Sequence, residues 1–348
     1  MSGDIHVRKA GRAGRITLTR PQALNALTYE MCDTIEKALD GWADDDEVAL
    51  VVIDATGDRA FCSGGDIADL YKAAKAGEFA APRAFWAFEY PINAHVFNFP
   101  KPYVAFMQGY TMGGGVGISC HGSHRVVGDS SRIAMPECGI GLIPDVGGTL
   151  LLGQSPGRIG EYMGTTGYRM NAGDAIHAGF ADYYIPEADW PKVIADLEDT
   201  GRHEVIDTHA RPAPEPPLLA LEPGIGAHFA GETIHDILRS MAHAPSAFSE
   251  ATLATLARQS PLSVACTIEA IHRIRGKEAI EPALELEYRF TWRSVEDGDF
   301  VEGIRAQIID KDRNPKWRHA SLGEVTPLDV ARMLMPLGEN TLKLEGRP

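Results

Sequence analysis

The sequence predicts an α/β layer architecture to about residue 210 and a helical region after it. Three observations predict this. Strand-like and helix-like patterns alternate through the first two hundred residues, prolines crowd Arg211-Pro212-Ala213-Pro214-Glu215-Pro216-Pro217, and helical spacing dominates beyond them. Prolines at that density favour an extended connector. The expected organisation is therefore a core over residues 1–210 and a helical lid or interface region over 211–348.

The elements follow in order. Arg15 to Thr19 alternates like a strand, and Tyr29 to Trp42 has helical spacing, with Thr28 as N-cap. Val48 to Ile53 is a continuous apolar run, as in a strand covered on both faces. Phe61 to Asp66 reads as a small-residue loop that opens a helix at Ile67, and Pro82 to Phe99 as an aromatic helix. Pro102 to Met107 reads as a strand leading to the glycine run Met112-Gly113-Gly114-Gly115-Val116-Gly117, with a helix from Val116 to Cys120. Short strands are expected at His124 to Val127 and Arg132 to Met135, a loop at Gly139 to Gly148 and a helix at Gly157 to Thr166. Beyond the connector, helices are expected at 231–242, 246–257, 262–274 and 279–296.

The chemistry gathers around the glycine run. Glycines let backbone N–H groups approach a ligand oxygen, and a following helix adds partial positive charge. The run lacks the spacing and lysine of a phosphate loop, and its Gly113-x-Gly115-x-Gly117 pattern is a poor dinucleotide fingerprint. The loop Phe61-Cys62-Ser63-Gly64-Gly65-Asp66 also exposes amides before a helix. Alone it is a capped turn; together, the two turns could converge on one oxygen. Downstream come Met135-Pro136-Glu137 and Pro144-Asp145-Val146-Gly147-Gly148. Proline restricts the entry to Glu137. Each carboxylate also has an ordinary reading: a boundary glutamate for Glu137, a turn aspartate for Asp145, and the polar face of an amphipathic helix for Glu89. His121 and His124 lack an evident third ligand, so a structural role outweighs metal binding.

Bulk composition narrows the partners. The formal net charge of −15 argues against nucleic acid or an anionic membrane surface. The five cysteines are odd in number, widely spaced and without a CxxC pair, which reads as a reduced, cytoplasmic setting and not a disulfide scaffold or zinc site. The N-terminus shows no apolar signal stretch, and no run is long enough to span a bilayer.

In this order the motifs resemble the crotonase (enoyl-CoA hydratase/isomerase) superfamily, and most closely its 3-hydroxyisobutyryl-CoA hydrolase branch. Four stretches carry the closer match: Glu89-Tyr90; Met112 to Ser119 with His121-Gly122; Ala134 to Glu137 with Gly141 to Gly148; and Asp299 to Ala306 with Ile309 to Asp312 and Pro315-Lys316-Trp317. The resemblance implies a ββα spiral core, a helical C-terminal region and an acyl-CoA thioester substrate. It places the oxyanion-hole amides at Gly65 and Gly114, the catalytic carboxylates at Glu137 and Asp145, and substrate contacts at Glu89, Gly64, Asp66 and Gly113. Hydratases of the superfamily usually carry a glutamate where this chain has Gly117 and a small residue where it has Asp145. That exchange favours hydrolysis over hydration.

The implied reaction is hydrolysis of a short branched 3-hydroxyacyl-CoA; other readings are a hydratase or isomerase using Glu137 alone, or an acyl-CoA-binding protein without turnover. No metal or cofactor is expected beyond the coenzyme A of the substrate. The expected partner is that small molecule, with homo-oligomer formation as the superfamily often shows. Phe85, Trp86, Phe88 and Tyr110 are candidates to shape the acyl pocket. Lys101, Arg125, Lys311 and Lys316 are candidate contacts for coenzyme A phosphates, but for each the reading as a surface charge outweighs that one.

Overall fold

In the computed structural model, which describes residues 3–344, nine strands occur among the described residues: β1 (Ile5–Ala10), β2 (Ala13–Leu18), β3 (Leu50–Ala55), β4 (Ala60–Cys62), β5 (Tyr103–Met107), β6 (Tyr110–Met112), β7 (His124–Val127), β8 (Arg132–Ala134) and β9 (Tyr183–Tyr184). They form a larger sheet in the order β1-β2-β3-β5-β7-β9 and a smaller one in the order β4-β6-β8. β1 and β2 are an antiparallel hairpin, and every other pairing is parallel. The pairs β3–β4, β5–β6 and β7–β8 each send one strand to the larger sheet and the next to the smaller. A helical segment follows each pair. This is the expected ββα spiral.

By its internal contacts the chain forms two compact units. The first holds the chain up to Gly65, Pro91–Ala134 and Arg169–Pro217, and so contains all nine strands. Its sheet core is built from Leu50, Val52, Val104, Phe106 and Val126, covered by Trp190, Val193 and Leu197 of the helix Trp190–Thr200. The continuous apolar runs of β3 and β5 reflect this covering, because a parallel strand inside an α/β layer has no polar face. The helix Tyr29–Ala43 starts as expected: Thr28 Oγ1 accepts from the Met31 amide at 3.2 Å.

The second unit holds Asp66–Tyr90, Met135–Tyr168 and the chain from Leu218 on. It is helical. The four helices expected beyond the connector lie at Ile234–His243, Ala247–Leu256, Pro261–Ile274 and Glu281–Asp297. Two earlier chain segments join them, so the units interleave along the sequence; Pro217 closes the last segment of the first.

Some local expectations change. Phe61 and Cys62 are strand, not loop, because β4 pairs with β6. The helix after the glycine run begins at Gly114 and ends at Gly117. The stretch expected as loop opens with a turn of 3₁₀-helix, Glu137–Ile140, and the helix Gly148–Gln154 starts at its end. All five cysteines are buried and none is in a disulfide. Among the described residues no helix is long and apolar enough to cross a membrane.

Candidate active site

In the first unit the two glycine turns abut. Gly64 sits at φ 107°, and a Cβ built there would lie 3.3 Å from the Met112 carbonyl oxygen and 3.7 Å from the Gly114 amide nitrogen. A Cβ on Gly115 would lie 2.4 Å from the Cys62 carbonyl oxygen. The packing of β4 against β6 therefore leaves no room for a side chain between the turns. Gly113, at φ 51°, turns the chain from β6 into the helix Gly114–Gly117. Gly114 is the first residue of that helix, so its amide has no partner within it. Among the described residues neither the Gly65 nor the Gly114 amide is used in a loop or turn hydrogen bond.

In the second unit Glu89, Glu137 and Asp145 are buried, at 4%, 5% and 6% exposure. Glu137 is therefore not an exposed boundary glutamate, nor Glu89 on a solvent-facing side of its helix, while Asp145 does open a turn, its carbonyl accepting from the Gly148 amide at 2.7 Å. Glu137 begins the 3₁₀ turn after Pro136, and its carbonyl accepts from the Leu142 amide at 3.0 Å. Asp145 precedes two left-handed residues, Val146 at φ 53° and Gly147 at φ 80°. For a β-branched residue such a φ is strained and persists only when its surroundings enforce it. Asp145 Oδ2 accepts from Tyr90 Oη at 2.9 Å, and that hydroxyl lies 3.4 Å from Thr291 Oγ1.

Burial is the main electrostatic force on this cluster, since desolvation penalises the charged carboxylate. It pushes Asp145 up to about 6, partly offset by the Tyr90 hydrogen bond. It pushes Glu137 well above the usual carboxylate range, with the charge of Asp145 adding to the effect. Asp145 is thus the easier of the two to ionise, and the pair can hold one proton near neutral pH. Glu89 is pushed up to about 8 by burial first and by the Asp145 charge second. Its Oε1 and Glu137 Oε2 are buried without a hydrogen-bond partner. Two polar atoms left unsatisfied in one cluster are costly to folding and common where a ligand binds.

The state of Glu89 has a measurable consequence. From about pH 4.5 to about pH 8 the folded chain holds a proton there that an unfolded one has released. Stability from this group is therefore full below the lower value. It is lost as pH rises to the upper one, at about 1.4 kcal/mol for each pH step of one across that window. Glutamine is neutral throughout. Glu89→Gln is expected to raise the melting temperature over wild type at pH 8 and to change it much less at pH 5. An equal difference at both pH values would refute the buried, neutral glutamate.

Sequence reasoning missed two members of this cluster. Tyr90 adjoins Glu89, but nothing in the local sequence marks its hydroxyl as a donor to Asp145. Glu287 lies in the helix Glu281–Asp297, fully buried, and its carboxylate accepts from the Gly147 amide at 2.8 Å, the Thr149 amide at 2.9 Å and Thr149 Oγ1 at 2.5 Å. A partner 140 positions away leaves no local signal.

The remaining candidates are placed as follows. Asp66 is half-buried before the helix Ala68–Lys75, where its charge acts on Lys72. Trp86 is buried edge-on to Phe300 at 5.4 Å. Lys101 donates to the Trp42 and Asp45 carbonyls, and Arg125 pairs with Asp182, so both serve their own unit. Lys316 is exposed and bonded to Asn314. His121 packs against Phe97, and His124 bonds Ser123. Metal-ligand spacing occurs elsewhere, at Glu36, Asp40 and His95, within 4.8 Å of one another.

The chain belongs to the enoyl-CoA hydratase/isomerase family, whose profile matches residues 13–334. Curated relatives narrow the branch. Proteins named 3-hydroxyisobutyryl-CoA hydrolase, mitochondrial, are 34% identical in Gallus gallus, over 99% of this chain and 91% of that one, and 35% identical in Homo sapiens, over 98% and 90%. Among solved structures, one described as an enoyl-CoA hydratase from Rhodobacter sphaeroides is 52% identical with a TM-score of 0.93, covering 98% of this chain and 99% of its own. Another, described as a carnitinyl-CoA dehydratase from Mycobacterium thermoresistibile, is 39% identical with a TM-score of 0.93 and 99% coverage of both chains. The crotonase-type fold is therefore shared over nearly the whole length.

Proposed function

We propose that this chain hydrolyses the thioester of a short branched 3-hydroxyacyl-CoA, 3-hydroxyisobutyryl-CoA in the first instance, to the free acid and coenzyme A, as in valine degradation. The observation that carries this reading is the buried pair Glu137 and Asp145 in a chain with Gly117 after the glycine run. With glycine there, the paired-glutamate addition of water lacks a member. The names of the curated relatives agree.

The proposed roles follow from chemistry. The Gly65 and Gly114 amides donate to the thioester oxygen and stabilise its developing charge. Glu137 acts in one of two ways. It attacks the carbonyl carbon, the C–S bond breaks and the leaving thiolate takes a proton; water then hydrolyses the acyl–Glu137 anhydride to the acid. Alternatively, Glu137 takes a proton from water as that water attacks directly. Either route needs Glu137 ionised, and Asp145 is its proton-exchanging neighbour. Asp145 orients the water or the β-hydroxyl, and Glu89 holds the hydroxyl end, with Gly64, Gly113 and Asp66 as further substrate contacts. The reaction needs no cofactor. Homo-oligomeric assembly and a cytoplasmic location are part of the proposal. The latter rests on five buried cysteines outside any disulfide, although the curated relatives above are named mitochondrial.

One observation favours a second reading: the 52% identical solved structure is described as a hydratase. A panel of acyl-CoAs separates the two. Free thiol should appear with 3-hydroxyisobutyryl-CoA, and more weakly with 3-hydroxypropionyl-CoA, because one methyl group is worth only about 1–3 kcal/mol in such a pocket. Consumption of crotonyl-CoA with no thiol from any substrate would establish the hydratase instead.

A further inference from the structure

Asp145 stands in a loop that is tied to a helix far along the chain. Val146 and Gly147 are both left-handed, and within the segment the Gly148 amide donates to the Asp145 carbonyl at 2.7 Å and the Leu150 amide to the Gly147 carbonyl at 3.1 Å. Further bonds come from the helix Glu281–Asp297, at two side chains one helical turn apart. Glu287 takes the Gly147 amide on Oε2, and the Thr149 amide and hydroxyl on Oε1, so its carboxylate spans the start of the helix Gly148–Gln154. Thr291, four residues on, meets the Tyr90 hydroxyl that donates to Asp145 Oδ2. Residues at i and i+4 share a helix face. One face thus holds the backbone after Asp145 and, through Tyr90, its side chain.

We propose that Glu287 is a positioning residue for the hydrolytic step: it holds the 146–149 backbone so that the Asp145 carboxylate keeps its orientation beside Glu137. This rests on the hydrolase reading of Asp145. Glu287 itself touches no reacting atom. Its buried carboxylate, with three donors on two oxygens, is more than a helix cap requires, since a single acceptor at the N-cap suffices. The surplus bonds clamp the left-handed pair to the helix behind it.

The test is a double-mutant cycle on thiol release, with kcat and KM measured separately. In Glu287→Gln one oxygen can still serve Thr149, but an amide –NH₂ now faces the Gly147 N–H. The expected result is a fall in kcat of about ten- to hundredfold, the scale of a buried donor left without an acceptor, with KM changed less than about threefold. In an Asp145→Asn background the same substitution should cost little more, because the residue it positions is already disabled. Independent, multiplicative losses in the double variant would overturn the proposal, as would a fall in kcat no larger than the loss of folded protein. Should Glu287→Gln not fold, Thr149→Val removes the hydroxyl donor alone. It should show the same non-additivity with Asp145→Asn at smaller amplitude, and additivity there would equally overturn the proposal. If the parent enzyme releases no thiol from any acyl-CoA, the hydrolase reading fails instead. The clamp is then judged by whether Glu287→Gln reorders residues 145–149 in a crystal structure.

Discussion

Glu137→Gln is expected to lower kcat for thiol release by about 10²–10⁴, the range that a positioned acid, base or nucleophile supplies. Glutamine matches glutamate in size and cannot attack a carbonyl or take a proton from water. The substitution should not harm the fold. Burial already holds Glu137 well above the usual carboxylate range, so a neutral side chain is what the site tolerates best. The melting temperature should stay level or rise while turnover collapses, and KM should change little if the acyl chain is gripped elsewhere. A variant that kept full rate would remove Glu137 from the mechanism. One that lost rate and stability together would point to a packing role.

Gly115→Ala is the second large effect. A Cβ there would lie 2.4 Å from the Cys62 carbonyl oxygen and 2.9 Å from the Cys62 Cβ, and a carbonyl cannot swing aside as a flexible side chain can. The strand ending at Cys62 must shift, and with it the turn through Gly64 and Gly65. If those amides hold the thioester oxygen, kcat should fall by about 10²–10³, as when one oxyanion donor is lost. Gly41 is a control within the same unit: it is helical, and a Cβ there meets nothing within 4 Å. Gly41→Ala should retain full rate. Equal activity in both alanine variants would show that the contact between the glycine turns is irrelevant to catalysis.

Much of the fold was legible because its signals are local. Thr28 caps a helix that begins at the next residue, and the four C-terminal helices have their periodicity in their own residues. The glycine run could be picked out from its composition, whereas Glu89, Glu137 and Asp145 each had an ordinary reading and were assigned to the site by the order of motifs that resembles the family. What stayed hidden depends on partners far along the chain. β6 is three residues long and exists because it pairs with β4 on one side and β8 on the other. Gly303 looks like any helical glycine, yet a Cβ there would lie 2.2 Å from the Ile140 carbonyl oxygen. Glu287 reads as one more acidic residue in an acidic helix, and only tertiary structure shows that it faces inward. The interleaving of the two units is also invisible, since composition shifts visibly only near residue 211, whereas Asp66–Tyr90 and Met135–Tyr168 leave the stranded unit much earlier.

The buried sulfur atoms make this protein convenient to assay. Burial pushes the Cys120 and Cys138 side chains up to about 12 and Cys266 well above its ordinary value, so at neutral pH these positions present almost no nucleophilic thiolate. Cys32 and Cys62 are enclosed as well. A chromogenic disulfide reagent added to the cuvette will therefore report the coenzyme A that departs and remain blind to the catalyst, allowing turnover to be followed continuously without quenching.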